Sequence, residues 1–173
     1  MVGACLLTFL GTACTPSDPA PPTPSPATST PTETAQEREQ RLAYEAAEKS
    51  YREFRGELYR VLRAGGAKSA TPKMKATADG PYLKYFTQLV MAYQGQGTHS
   101  TGNESTGYVR PEGYSPTEVI LDVCEDSRSV RDIDRTGKQS GRGEIRKVRV
   151  EVRKEGTTWR VWDGDGKKAT RCD

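Results

Sequence analysis

The order of hydrophobic and polar positions predicts a long helix near the start of the chain. From about Thr34 to Ala64, apolar residues recur every three or four positions, which places them along one stripe of a helix. Glycine commonly ends a helix, so Gly65 and Gly66 mark its end. The apolar stripe consists of Tyr44, Ala47, Tyr51, Phe54, Leu58, Val61 and Leu62.

Two shorter helices are predicted next. Thr71-Pro72 is typical of a helix start, with a capping threonine before a proline at the first helical position, and predicts a helix through Ala78. Asp79-Gly80-Pro81 predicts the start of a third helix, which Gly95 and Gly97 end. The apolar face of the third helix consists of Leu83, Phe86, Leu89, Val90 and Tyr93.

The hydrophobic period then changes to two, which predicts strands. Gly102 and Gly107 weaken the first strand, and the polar stretch 126–141 indicates a long hairpin connection. Four strands are predicted, at about 98–110, 117–125, 146–153 and 157–163. Helices followed by antiparallel strands predict an α+β fold, with three N-terminal helices packed on one face of a curved antiparallel sheet of about four strands.

The first 13 residues are typical of an export signal. The apolar run Leu6–Leu10 has the length of a signal-peptide core and is too short to span a bilayer. Small residues then precede Cys14, a pattern that resembles the lipobox of bacterial lipoproteins, in which that cysteine is lipidated. We therefore expect Cys14 to anchor the chain to a membrane. Cys5 is a rival site, and a plain secretory signal or a buried N-terminal strand are the alternatives.

The segment after Cys14 has the composition of a disordered spacer. Residues 15–34 hold seven of the 11 prolines, and nearly all their other residues are Thr, Ser or Ala. Proline stiffens such a segment, so about 20 residues reach roughly 60 Å. We therefore predict a tether over 14–40 and a globular head over 41–173.

Charge separates the tether from the head. Residues 14–40 hold four acidic side chains against Arg38, so the head at 41–173 carries +6, whereas the whole chain carries +3. Such a head is attracted to an anionic envelope surface, although basic side chains also serve simply as a solubilising surface. Nucleic acid is not an expected partner of an exported protein. The single histidine excludes His-rich zinc sites, and we predict no metal or cofactor.

Several motifs of the head resemble small exported lipoproteins of actinobacteria, some of which are encoded by phages or mobile elements. The motifs are the Tyr44…Tyr51 helix, VILDVCEDS at 119–127, VRVEVRKEGTTWRVWD at 148–163 and a cysteine next to the C-terminal residue. Three helices followed by four strands also resemble the cone-shaped NTF2-like fold. The resemblance implies an envelope location on the outer face of the cytoplasmic membrane. It implies no reaction, since this fold hosts both enzymes and binding modules.

The number of cysteines that remain after processing is consistent with export. After processing at Cys14, Cys124 and Cys172 are left, and two thiols in an oxidising compartment favour a disulfide. The bridge closes a loop of about 47 residues and stabilises the fold by roughly 3–4 kcal/mol. Two unpaired thiols are the alternative.

No catalytic residue is predicted. His99 lies in an expected loop, and as a general base it needs a carboxylate, of which Glu104 is the nearest in sequence. Asp122 alternates with the apolar residues of its strand and is therefore expected to face solvent. The Asp-Gly-Asp-Gly motif at 163–166 is expected to be a turn rather than part of a calcium loop. The aromatic residues expected to line a cavity, or else to fill the core, are Tyr51, Phe54, Phe86, Tyr93, Trp159 and Trp162.

Three functions are consistent with these features. The first is a lipid-anchored, non-catalytic module that binds an envelope protein or an anionic envelope surface. The second is a small NTF2-like enzyme, an isomerase or hydrolase, acting on a hydrophobic ligand; the apolar faces offer it no clear acid or base. The third is a phage-encoded lipoprotein that excludes competing phage. An open cavity holding a carboxylate or His99 favours the enzyme, whereas a cavity filled by Trp and Tyr favours the module.

Overall fold

A capping box starts the long helix α1. The computed structural model describes residues 33–173. Within it, the Thr34 hydroxyl accepts the Glu37 backbone N–H at 3.2 Å, and the Glu37 carboxylate accepts the Thr34 backbone N–H at 2.8 Å. These reciprocal bonds satisfy exposed donors of the first turn, so α1 spans Ala35–Arg63. Residues 35–40 are therefore helix, although their composition assigned them to the tether.

The predicted signal, the lipidation site Cys14 and the tether up to residue 32 lie outside the described residues. After α1 come α2 (Pro72–Thr77) and α3 (Gly80–Gln96). The helices thus reach residue 96 and are not all at the N-terminus. None of the helices within 33–173 has an apolar run long enough to cross a membrane.

Seven strands follow and form two antiparallel sheets instead of one. The strands are β1 (His99–Thr101), β2 (Ser105–Ser115), β3 (Glu118–Asp126), β4 (Arg131–Ile133), β5 (Gln139–Arg142), β6 (Ile145–Glu155) and β7 (Thr158–Ala169). The larger sheet has the order β2-β3-β6-β7 and the smaller one β1-β4-β5. The fold is therefore α+β, as predicted, but the small sheet was missed because β4 and β5 have no alternation of buried and exposed residues.

Two strands run further than the sequence predicts. β2 continues through Pro111 and Gly113, which an edge strand tolerates because one side of its backbone has no strand partner. β7 continues through Gly164 and Gly166, which pair with Val150 and Val148 of β6. The segment 163–166 is thus strand, so its assignment as a turn is wrong.

The hydrophobic core lies between the helices and the inner face of the larger sheet. The α1 stripe supplies Tyr51, Phe54 and Leu58, each 0–1% exposed. The alternate valines of β6 face it, and Val150 and Val152 are fully buried. The helical and strand periods therefore predict this part of the core correctly.

The predicted disulfide is confirmed. Cys124 of β3 is bonded to Cys172, with their Cα atoms 5.6 Å apart. The bridge lies against Gly107 of β2, where a Cβ atom would come within 2.7 Å of both the Cβ and the Sγ of Cys172. Gly107 therefore makes room for the disulfide instead of interrupting a strand.

Two glycines at α1 test how backbone freedom affects stability. A Cβ atom added at Gly56, inside α1, meets nothing within 4 Å. We expect Gly56→Ala to raise the free energy of unfolding by about 0.5–1 kcal/mol, because alanine loses less backbone entropy on folding. Urea unfolding followed by circular dichroism measures the change.

Gly66 provides the opposite control. Its φ is +87°, and a Cβ atom there would lie 2.3 Å from the Val90 carbonyl oxygen. We expect Gly66→Ala to destabilise the fold. A Gly56→Ala protein no more stable than the parent would contradict the placement of this residue in an open helical position.

Candidate functional site

An open cavity of about 700 Å³ lies between the helices and one end of the larger sheet. α1 contributes Leu58 and Leu62 to its wall, and the inner face of β6 contributes Val148. α3 contributes the largest apolar surface, from Tyr82, Tyr85, Phe86 and Leu89. The cavity is therefore bounded by aromatic rings on the helix side and by small residues on the sheet side.

Glycines on the inner face of β7 leave the space for this cavity. Gly164 is paired with Val150 and Gly166 with Val148, so both glycines lie on the face that carries buried valines elsewhere. A Cβ atom at Gly164 would lie 3.0 Å from the Tyr82 ring, and one at Gly166 would lie 3.0 Å from a methyl group of Val148. Larger side chains at these positions would reduce the cavity.

A buried ionic cluster, formed by Arg55, Glu104 and Glu125, adjoins the cavity. Arg55 Nε donates to Glu104 Oε1 at 3.2 Å, and Arg55 Nη2 donates to Glu125 Oε2 at 3.1 Å. Arg55 Nη2 also donates to Glu104 Oε2. All three side chains are less than a tenth exposed. One guanidinium on α1 is thus shared by a carboxylate in the β1–β2 loop and another on β3.

Hydroxyl groups complete the bonding of this cluster. The Tyr51 hydroxyl donates to Glu125 Oε1, so both oxygens of Glu125 have a donor. Ser127 Oγ donates to Glu104 Oε2 at 3.0 Å and lies 3.0 Å from the Tyr59 hydroxyl. Glu125 and Ser127 are in the cavity lining together with Arg55 and Tyr59.

The surroundings of Glu125 raise the pKa of its carboxyl. Burial raises the pKa of the Glu125 carboxyl, Arg55 lowers it, and the negative charge of Glu104 raises it again, which leaves the pKa above its ordinary value. Because two carboxylates share one guanidinium, one negative charge is uncompensated when both are ionised. Burial also raises the pKa of the Tyr51 hydroxyl well above its usual value.

The sequence contained a signal for this cluster that was missed. Glu125 continues the alternation of Val119, Leu121 and Val123, so the strand period alone places it on the inner face. Arg55 lies four residues after Tyr51 and three before Leu58, so the helical period places it on the buried stripe. The expectation that the inward faces offer no acid or base is therefore wrong.

Phe86 is the one predicted cavity residue that lies in the lining of the described cavity. Its ring centroid is 4.8 Å from that of Tyr82 and 4.9 Å from that of Tyr85. The other predicted cavity residues lie elsewhere. Tyr51 and Phe54 are in the core. Trp159 is buried near α1 and its carbonyl accepts a hydrogen bond from Ser50, whereas Tyr93 lies beside Ser100 and Asp132.

His99, Glu104 and Trp162 are not in this lining. His99 lies in β1, paired with Ile133, and not in a loop. Glu104 is bound by Arg55 and not by His99. Trp162 packs against Gly80 and carries the Arg153 guanidinium over its ring at 4.4 Å. Among residues 33–173, no three His, Cys, Asp or Glu side chains are grouped to hold a metal ion.

Comparison with known proteins adds little to this description. No family model matches the chain, and no curated protein matches it. A solved structure with some similarity is the intermembrane space region of the chloroplast protein ARC6, at 15% sequence identity and a TM-score of 0.49. The match covers 73% of this chain and 97% of that one. We draw no functional conclusion from it.

The elevated pKa of Glu125 predicts a measurable pH dependence. The folded state holds the proton on Glu125 more tightly than the unfolded state, in which the pKa is 4.5. The stabilisation from this protonated carboxyl is therefore lost as pH rises above 4.5 and through the higher pKa of the folded state. Glutamine cannot ionise. We therefore expect the unfolding free energy of Glu125→Gln, relative to the parent, to shift in favour of the variant as pH rises above 4.5.

Urea unfolding at a series of pH values measures this difference. Glu155→Gln, at the exposed end of β6, is the control for the same substitution outside the ionic cluster. A pH-independent difference for Glu125→Gln would show that Glu125 titrates alike in the folded and unfolded states.

Proposed function

We propose that residues 33–173 form a binding module whose cavity holds a small organic ligand. The observation that carries the proposal is the open cavity of about 700 Å³ beneath α3. Its volume is within the usual range for ligand sites, and its lining combines aromatic rings with charged and hydroxyl-bearing residues. The polar groups of Glu125 and Ser127 would orient the ligand, and Phe86 and Leu89 would contact its apolar part.

An enzyme is the second candidate function, because an ionisable carboxylate lies in the open cavity. Glu125 would be the acid or base of an isomerase or hydrolase, and its raised pKa suits that role. However, Glu125 Oε1 accepts a hydrogen bond from Tyr51 and Oε2 accepts one from Arg55, so the carboxylate is held in the ionic cluster and each oxygen keeps one lone pair for a ligand. This arrangement favours binding over catalysis.

We further propose that the module is lipid-anchored through Cys14 on the outer face of a bacterial cytoplasmic membrane. The support comes from the small residues before Cys14 and from the proline-rich composition of the segment that follows it. The disulfide between Cys124 and Cys172 is consistent with an oxidising compartment. A phage origin is a further proposal that rests on the sequence resemblance alone.

The cavity proposal is tested by reducing the cavity. Valine at Gly166 would crowd Val148 and occupy space at the sheet side. We expect Gly166→Val to weaken binding of the neutral fluorescent amine N-phenyl-1-naphthylamine by at least about tenfold, because the ligand loses both volume and apolar contact. Fluorescence titration is done on the full chain carrying Cys14→Ser, so that no acyl chain competes for the dye.

Gly95→Ala is the matched control, since a Cβ atom there meets nothing within 4 Å. Its dye affinity should equal that of the parent. Near-UV circular dichroism checks that the Gly166→Val protein keeps its tertiary packing. The cavity proposal fails if the parent does not bind the dye or if a folded Gly166→Val protein binds it equally well.

The anchor is tested by changing Cys14 alone. We expect the parent chain, expressed in an actinobacterial host, to sediment with membranes and to carry a mass increment from acylation, because a diacyl-glyceryl cysteine binds bilayers stably. Cys14→Ser should abolish the increment and release the protein from membranes, whereas Cys5→Ser should change neither the acylation nor the sedimentation. Retention of the acyl mass in Cys14→Ser would instead assign the anchor to Cys5.

A further inference from the structure

We propose that the cavity ligand is an organic cation, namely an amine or quaternary ammonium group attached to an apolar body. This inference rests on the proposed binding function and names the chemical class of the ligand. Two features of the described residues support it: the charge of the ionic cluster and a wall of aromatic rings.

The ionic cluster leaves a negative charge next to the cavity. Arg55 is the single guanidinium between Glu104 and Glu125, and all three side chains are nearly inaccessible to water. A buried charge without a counterion is costly, and a cation in the adjoining cavity would compensate it. Glu125 is the carboxylate of the pair that reaches the cavity lining, so it would face the ammonium group.

The rest of the lining carries charges of both signs. Asp163 and Asp165 are in register with Glu151 and Arg149, on the outward face of the sheet, so they do not add to the charge on its inner face. Glu144 is paired with Arg146 at 3.4 Å and with Lys168 at 3.1 Å. The charge preference of the cavity therefore depends on Glu125.

The aromatic wall suits a cation with an apolar body. Tyr82, Tyr85 and Phe86 lie in mutual contact on α3. The protein already places one cation against this wall, because the Arg55 guanidinium carbon lies 5.6 Å from the Phe86 ring centroid. Tyr85 is 63% exposed, so its ring is available to a ligand from the solvent side. Ring faces attract cations and also contact hydrocarbon.

Three probes of similar shape and different charge test the inference on the full chain carrying Cys14→Ser. They are benzyltrimethylammonium, its neutral carbon isostere neopentylbenzene, and the anion phenylmethanesulfonate. We expect the cation to bind at least about tenfold more tightly than the neutral isostere, and the anion to bind most weakly. Displacement of N-phenyl-1-naphthylamine and chemical-shift changes in α3 measure the affinities.

Variants in the lining assign the preference to the cavity. Glu125→Gln should weaken binding of the cation by about tenfold and leave binding of the neutral isostere nearly unchanged. Tyr85→Leu, at an exposed position of the aromatic wall, should weaken cation binding about two- to threefold and leave binding of the neutral isostere nearly unchanged, and it serves if Glu125→Gln is poorly folded. Glu155→Gln, at the far end of β6, should have no effect.

The outcomes separate this inference from the proposed function. Equal binding of the cation and the neutral isostere would show an apolar cavity without charge preference, which overturns the inference and leaves the binding function standing. Tighter binding of the anion would have the same consequence. A parent chain that binds neither the dye nor any of the three probes overturns both. A cation preference that neither Glu125→Gln nor Tyr85→Leu reduces also overturns the inference.

Discussion

The arrangement of this domain depends on one buried guanidinium shared by two carboxylates. Arg55 on α1 bonds Glu104 in the β1–β2 loop and Glu125 on β3, which lie 49 and 70 residues further along the chain. Removing one partner of a buried ion pair typically costs about 3–5 kcal/mol, because a charge is then left without compensation. Rotating or sliding α1 would break both pairs, so the cluster fixes the helix against the larger sheet.

The cluster also determines where the hydrophobic core ends. At one end of the sheet, Tyr51 and Phe54 pack against continuous rows of valine. At the other end the inner face carries Glu125 on β3, and Gly164 and Gly166 on β7 provide no side chains to fill the space. The same sheet therefore supports a close-packed core and an open cavity, and the boundary between them is the polar cluster.

Much of the fold was predictable because its signals are local and periodic. The period of α1, the alternation in β3 and β6 and the pairing of Cys124 with Cys172 are all confirmed. The strands β4 and β5 were not predicted, since three or four residues at intermediate exposure carry no period. The cavity was predicted only in part, because aromatic residues at helical spacing belong equally to a core or to a cavity wall.

The sequence by itself therefore determined the three helices, the long strands β3 and β6, their inward faces and the disulfide, all of which depend on periodicity or on residue type. It also placed Arg55 and Glu125 on inward faces. Only the tertiary structure decided that these two residues meet, that Glu104 joins them, and that the glycines of β7 lie opposite α3 at an open space. Those facts depend on the register and packing of elements far apart in the chain, which no local pattern encodes.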